Sequence, residues 1–186
     1  NNSQVDLISS FGFGKDTIKK AEGIYIYTND GKKIYDFTGG IGVLNHGHNH
    51  PRILNARKKF SELKKMEVHK NYFSPYIAAL SSNIANLLPS DLNISYFPNS
   101  GAEAVEGAIK MAYKYHNGSR KNILHADISF HGKLLGAAGL TGSPELSFEF
   151  PKIPNIDQFE YNNFKSVKNK VDVYRQSSGE SDVYAI

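Results

Sequence analysis

The 186-residue chain contains no cysteine and no tryptophan. The first absence excludes disulfides and every thiolate metal site. Long apolar runs are missing too. None approaches the roughly 18 residues of a membrane helix, and the polar start Asn1-Asn2-Ser3-Gln4 is unlike a signal peptide. Charge of one sign is also scarce, since 22 Lys and Arg against 18 Asp and Glu leave a net charge of +4. The small basic excess sits in short runs such as Arg57-Lys58-Lys59 and Lys64-Lys65, which at helical spacing read as a solvated face and not as a nucleic-acid surface. Phosphate-loop, nucleophile-elbow and dinucleotide fingerprints are absent, and Phe11-Gly-Phe-Gly14 is too short to count as one. Nucleotide-binding and serine-hydrolase functions lose their usual support. What is present, 40% hydrophobic residues with 11 Tyr and 11 Phe, suits a globular chain of one domain or slightly more, able to bury a core.

Residues 23–37 hold two β-rich runs around Asn29-Asp30-Gly31, which predicts a hairpin. A glycine cluster follows at Gly39, Gly40 and Gly42, then His46-Gly-His-Asn-His50. Pro51 is predicted to start a helix running to about Met66, and Ser74-Pro75 repeats that start signal for a helix ended by Pro89. Ile94–Phe97 is expected as a short strand. Ser100-Gly-Ala-Glu103 has the form of a capping box opening a helix that Asn117-Gly118 stops in a left-handed turn. Lys121–Ala126 reads as a buried strand, so strand, helix and strand imply a βαβ unit and a parallel sheet. Beyond Thr141-Gly-Ser-Pro144 the pattern weakens. A helix is expected over 164–174 and the start of a strand at Asp182–Ile186.

Three constellations bear chemistry. A helix N-terminus at Ser100-Gly101-Ala102 offers unpaired N–H groups, a partial positive charge and small side chains, so it serves an anion or plain capping equally well. Glu103 and Glu106 are better explained by capping and the helix dipole than by acid–base work. Phe130-His131-Gly132 follows the second strand, at the carboxyl edge of a parallel sheet where α/β folds bind ligands. An aromatic there stacks on a flat cofactor or packs into the core, and His131 is equally a hydrogen-bonded turn residue. His46, His48 and His50 would meet a Zn²⁺ only if the segment stayed extended. Gly47, Asn49 and Pro51 argue against that and favour turn and helix-cap roles.

Together, Gly31–Gly42, Asn45–Pro51, Phe97–Lys110 and Phe130-His-Gly-Lys133 resemble class III, or ornithine-type, aminotransferases, in order and at plausible spacing over roughly residues 22–142. The resemblance implies an α/β chain of the aspartate aminotransferase fold (fold type I), incomplete, with residues 1–70 as the N-terminal segment of the small domain and 71–186 as the first part of the large parallel-sheet domain. It implies pyridoxal 5'-phosphate as cofactor. The phosphate would be held by Ser100, Gly101 and Ala102, and Phe130 with His131 would lie at the pyridine ring. Lys133 stands where acetylornithine-type members carry an Arg that grips the substrate α-carboxylate. A Lys offers a point charge there and not a planar fork, so diamines such as putrescine and other ω-amino donors are as plausible as α-amino acids. Gly39, Gly40 and Ile41 match the segment bordering the substrate pocket.

The family's Schiff-base Lys, its pyridine-nitrogen Asp and the second-subunit Thr of the phosphate cup are expected beyond Ile186. Lys110, Lys121 and Lys133 do not stand at the catalytic position, so the isolated chain is expected to be inactive. The intact enzyme is expected to be a cytoplasmic homodimer acting on an amine or amino acid and a 2-oxo acid. A non-catalytic remnant or assembly module of the same fold is the alternative, and a metal-dependent hydrolase using the three histidines is a third reading.

Overall fold

The computed structural model describes residues 16–67, 71–89, 91–143 and 151–186, so Asn1–Gln4, Phe11–Gly14 and Pro144 lie outside the described residues. The chain divides into two compact units, Asn1–Ala79 and Leu80–Ile186.

The first unit opens with three antiparallel strands, β1 (Ile18–Glu22), β2 (Tyr25–Thr28) and β3 (Lys33–Tyr35), in that order across the sheet. The expected hairpin is β2–β3. Its turn is closed by Thr28, which is 2% exposed and whose Oγ1 accepts the Lys32 N–H at 2.9 Å. Gly31 there takes a φ of 89°. Tyr25 and Tyr35 face each other in register with ring centroids 5.0 Å apart, the aromatic cross-strand pair that favours this pairing. β1 was not anticipated, because its partner strand lies across a turn and its own residues, Ile-Lys-Lys-Ala-Glu, alternate poorly.

Next comes α1 (Gly39–Gly42), a single turn with positive φ at all four residues. The helix α2 (Pro51–Glu62) starts at Pro51 as predicted, with His50 as its cap. It ends before Met66, since Leu63 caps it and Lys64 turns left-handed at φ 47°. The helix α3 (Pro75–Ala85) is capped by the Ser74 hydroxyl, which accepts the Ile77 N–H at 3.3 Å.

The second unit is built on a parallel sheet, order β5-β4-β6, from β4 (Asn122–Ala126), β5 (Ile156–Phe159) and β6 (Val183–Ala185). Before β4 comes α4 (Gly101–Tyr115), and after it α5 (Leu135–Gly139); α6 (Phe164–Val173) joins β5 to β6. The parallel sheet is present, but Ile94–Phe97 is not one of its strands. No ladder partner reaches it among the described residues, and Ile94 is 94% exposed. The crossover units are therefore β4–α5–β5 and β5–α6–β6. Ile123, Leu124, Ala137, Leu140 and Val183 form the buried core. Among the described residues no helix is long and apolar enough to cross a membrane.

Candidate functional site

Ser100 is extended, at φ −149° and ψ 162°, and begins α4 by accepting the Glu103 N–H on Oγ at 3.2 Å. Glu103 does not return to the Ser100 amide as in a closed capping box. Its Oε2 accepts the Asn99 N–H at 2.6 Å instead. That leaves the N–H groups of Gly101 and Ala102, the first two of the helix, without an intrahelical acceptor, and neither donates to another described residue. Because the Ser100 oxygen accepts from Glu103, its own hydroxyl hydrogen remains available to an anion. Gly101 faces open space, with no atom within 4 Å of where its Cβ would stand.

The turn after β4 is packed onto this helix end. A Cβ on Gly132, whose φ is 121°, would stand 2.6 Å from Ala102 Cβ and 3.0 Å from Ala102 Cα. The structure thus brings Phe130-His131-Gly132 and Ser100-Gly101-Ala102 together through a contact that only glycine permits. Ser129 holds the same turn, accepting the Gly142 N–H at 3.1 Å with Leu140 O 2.8 Å away. Thr141, 1% exposed, accepts the His131 backbone N–H at 3.3 Å. Phe130 is 53% exposed. The His131 ring borders a hollow of about 280 Å³ shared with Val105, Ile109, Leu124 and Leu140, between α4 and β4. Lys133 follows on the exposed surface.

Glu106 has a role that the sequence did not disclose. Its Oε1 accepts the N–H of Gly136 at 2.7 Å and of Ala137 at 3.0 Å, capping α5 from α4. The partners lie 30 residues away, and no local spacing signals them.

Gly40 and Ile41 belong to the other unit. Gly40 (φ 66°, ψ 39°) and Ile41 (φ 65°, ψ 54°) are left-handed, and Ile41 is 75% exposed. The turn is closed by Gly42 N–H to Thr38 O at 2.7 Å and by Val43 and Leu44 N–H to Gly39 O at 3.0 and 2.8 Å. Asp36, not singled out in the sequence, underlies it. Its Oδ1 accepts the Thr38 hydroxyl at 2.7 Å and the N–H groups of Gly39 and Thr38 at 2.8 and 3.0 Å. Asp-Phe-Thr is an Asx-turn sequence, the one local signal that could have revealed this. The Thr38 hydroxyl, then His48 and the Gly39 N–H, hold the Asp36 carboxyl down to about 2.

The three histidines diverge in role. His48 Nε2 donates to Asp36 Oδ2 at 2.6 Å, His50 Nδ1 accepts the Arg52 N–H at 3.3 Å, and His46 sits beside Asn45. Among the described residues no three His, Asp or Glu converge on a metal position.

Comparison with known proteins adds four findings. The family model for class-III aminotransferases matches residues 14–181. The acetylornithine aminotransferase of Aquifex aeolicus is 33% identical over 157 residues, 82% of this chain and 41% of that protein. The putrescine aminotransferase of Pectobacterium atrosepticum is 33% identical over 159 residues, 84% of this chain and 33% of that protein. The crystal structure of taurine:2-oxoglutarate aminotransferase from Bifidobacterium kashiwanohense, in complex with PLP and glutamate, superimposes with a TM-score of 0.68 at 27% identity, over 81% of this chain and 34% of that one. The chain spans about two fifths of the length of the curated relatives it matches.

Proposed function

The chain belongs to the class-III aminotransferase family, and from that premise we propose that it builds the cofactor-phosphate site and part of the substrate wall of a transaminase. The reaction is transfer of an amino group from an amine or amino acid to a 2-oxo acid. The observation that carries this reading is the α4 N-terminus, with two unpartnered amides and a free hydroxyl hydrogen, closed on one side by Gly132.

These residues fit pyridoxal 5'-phosphate. Gly101 and Ala102 offer two N–H donors at the positive end of a helix, Ser100 offers a third, and the missing Cβ at Gly101 leaves room for phosphate oxygens. Bound there, the group supplies the electron sink that proton removal next to an amine requires. Phe130 lends an aromatic face to its ring, and His131 fixes the bend that carries Phe130. Lys133 offers a substrate carboxylate a point charge in place of a planar fork, a weaker grip that leaves diamines and other ω-amino donors open alongside α-amino acids. Gly40 and Ile41 border the substrate. We assign residues 1–70 to the small domain and 71–186 to the first part of the large domain of a homodimeric cytoplasmic enzyme. No lysine of the chain is given the covalent role, so the chain by itself binds cofactor without turning it over. A non-catalytic module of the same fold would share this binding.

Gly101→Pro tests the phosphate site with little disturbance of the fold. Proline suits the first helical position, and the extended Ser100 before it is already in the conformation proline demands. Fluorescence titration is expected to give saturable pyridoxal 5'-phosphate binding that inorganic phosphate competes, weakened about tenfold in the variant, the cost of one charge-assisted hydrogen bond. Equal affinity of the two proteins would overturn the assignment.

A further inference from the structure

We propose that Asp36 is a positioning residue for the substrate-facing turn, its carboxylate anchored by His48 and gathering donors from Thr38 and Gly39 so that Ile41 is held left-handed and presented outward. The importance of this turn rests on the reading that Gly40 and Ile41 border the substrate.

The chain of contacts runs from the sheet to the turn without a gap. The His48 backbone exchanges two hydrogen bonds with Gly23, N–H to O at 2.7 Å and the return bond at 2.9 Å. The approach is close enough that a Cβ on Gly47 would stand 2.8 Å from Gly23 O, so a glycine is required there. The Asp36 backbone is fixed to the same turn between β1 and β2, its N–H donating to Ile24 O at 2.8 Å. Between these anchors the Asp36 side chain is only 5% exposed. One oxygen faces His48, and the other faces the Thr38 hydroxyl and two backbone amides.

The turn needs such a clamp because of one residue. Gly39, Gly40 and Gly42 reach positive φ without a steric cost, whereas Ile41 is β-branched, and φ 65° is an outlier for it. Nothing local to Ile41 repays that strain, since its side chain is 75% exposed. Asp36 replaces the missing local support with directed hydrogen bonds at the entry of the turn. The side chain so presented is aliphatic, which suits the methylene stem of an ω-amino substrate.

Amide hydrogen exchange and NMR on the 186-residue chain test this without cofactor or substrate. Asp36→Ala is expected to speed exchange of the Gly42, Val43 and Leu44 amides at least tenfold. It is also expected to move the Ile41 Cα shift and HN–Hα coupling away from left-handed values, while Ile26 and Ile34 in the sheet keep their rates. Asp36→Asn restores both readouts, because its amide oxygen still accepts from Thr38 and Gly39 and its NH₂ donates to a neutral His48. In an Ile41→Gly background the effect of Asp36→Ala falls below threefold, since glycine needs no clamp. Unchanged rates in Asp36→Ala, or equal loss with isoleucine and with glycine at 41, would overturn the proposal. Should Asp36→Ala open the strands as well, His48→Ala decides the matter: acceleration confined to Gly42–Leu44 supports the clamp, and unchanged rates refute it. Because no cofactor takes part, a negative result leaves the phosphate site standing. Failure of the pyridoxal 5'-phosphate titration likewise leaves the clamp untouched.

Discussion

At Ile41 the backbone departs from what its residue type prefers, by a conformation costing an L-residue about 1–2 kcal/mol. Asp36 is the countervailing group, and its acidity records how firmly it is held. The Thr38 hydroxyl, His48 and the Gly39 N–H lower its carboxyl from the ordinary 3.8 to about 2. A carboxyl whose folded value lies below its unfolded one stabilises above the unfolded value, and that contribution is lost as pH falls through the folded value. The turn is therefore expected to be intact above pH 3.8 and to loosen as pH falls from 3.8 to about 2. An acid titration followed through the Thr38 and Gly39 amide signals checks this, and a midpoint near 3.8 would mean that the carboxyl is free of those donors. The left-handed stretch was half legible in the sequence, as three glycines in four residues. The residue that stabilises it was legible only as the Asx-turn sequence Asp-Phe-Thr, because its anchor His48 lies 12 positions along the chain.

Among the elements, the helix ends are where local chemistry and long-range contacts meet. Ser74, His50, Ser100 and Asn163 each cap the helix that follows within a few residues, so those starts were readable or nearly so. Helix α5 differs, having an N-cap, Leu134, with no side chain able to accept. Glu106 supplies the acceptor from another helix, and its oxygen is shared by two amides of buried residues, Gly136 and Ala137. Glu106→Ala is expected to leave both unsatisfied and to lower stability by about 1–3 kcal/mol in urea unfolding. Glu106→Gln should recover most of that loss through its remaining oxygen. The same element-to-element dependence decides which segments are strands. In β5, Ile-Asp-Gln-Phe has little pattern of its own and gains its identity from pairing with β4. Ile94–Phe97 has the pattern but, among the described residues, no partner to make it a strand.

Over the whole molecule, burial is divided unevenly between the two units. Every buried hydrophobic side chain among the described residues, from Ile123 and Leu124 to Val183, belongs to Leu80–Ile186, while Asn1–Ala79 buries Thr28 and Ser74. Apolar burial is the main favourable contribution to folding, so the second unit is expected to open at the higher free energy. Hydrogen exchange with mass-spectrometric readout should find the slowest peptides over Asn122–Ala126 and faster exchange throughout β1–β3. The reverse order would show that the first sheet draws its stability from something other than side-chain burial.

The sequence by itself determined what depends on neighbours within a turn or two: the β2–β3 hairpin, the starts of four helices, the left-handed stop of α4, and the class III motifs with their spacing. Those features follow from φ preferences and from side chains reaching backbone three residues away. Only the tertiary structure decided which strands pair, that Gly132 closes on Ala102 to unite two motifs 30 residues apart, that Glu106 caps a distant helix, and that Asp36 and His48 hold the Ile41 turn. Apart from the Asx-turn bonds of Asp36 to Thr38 and Gly39, these contacts join groups that chain proximity does not bring together, so no local preference announces them.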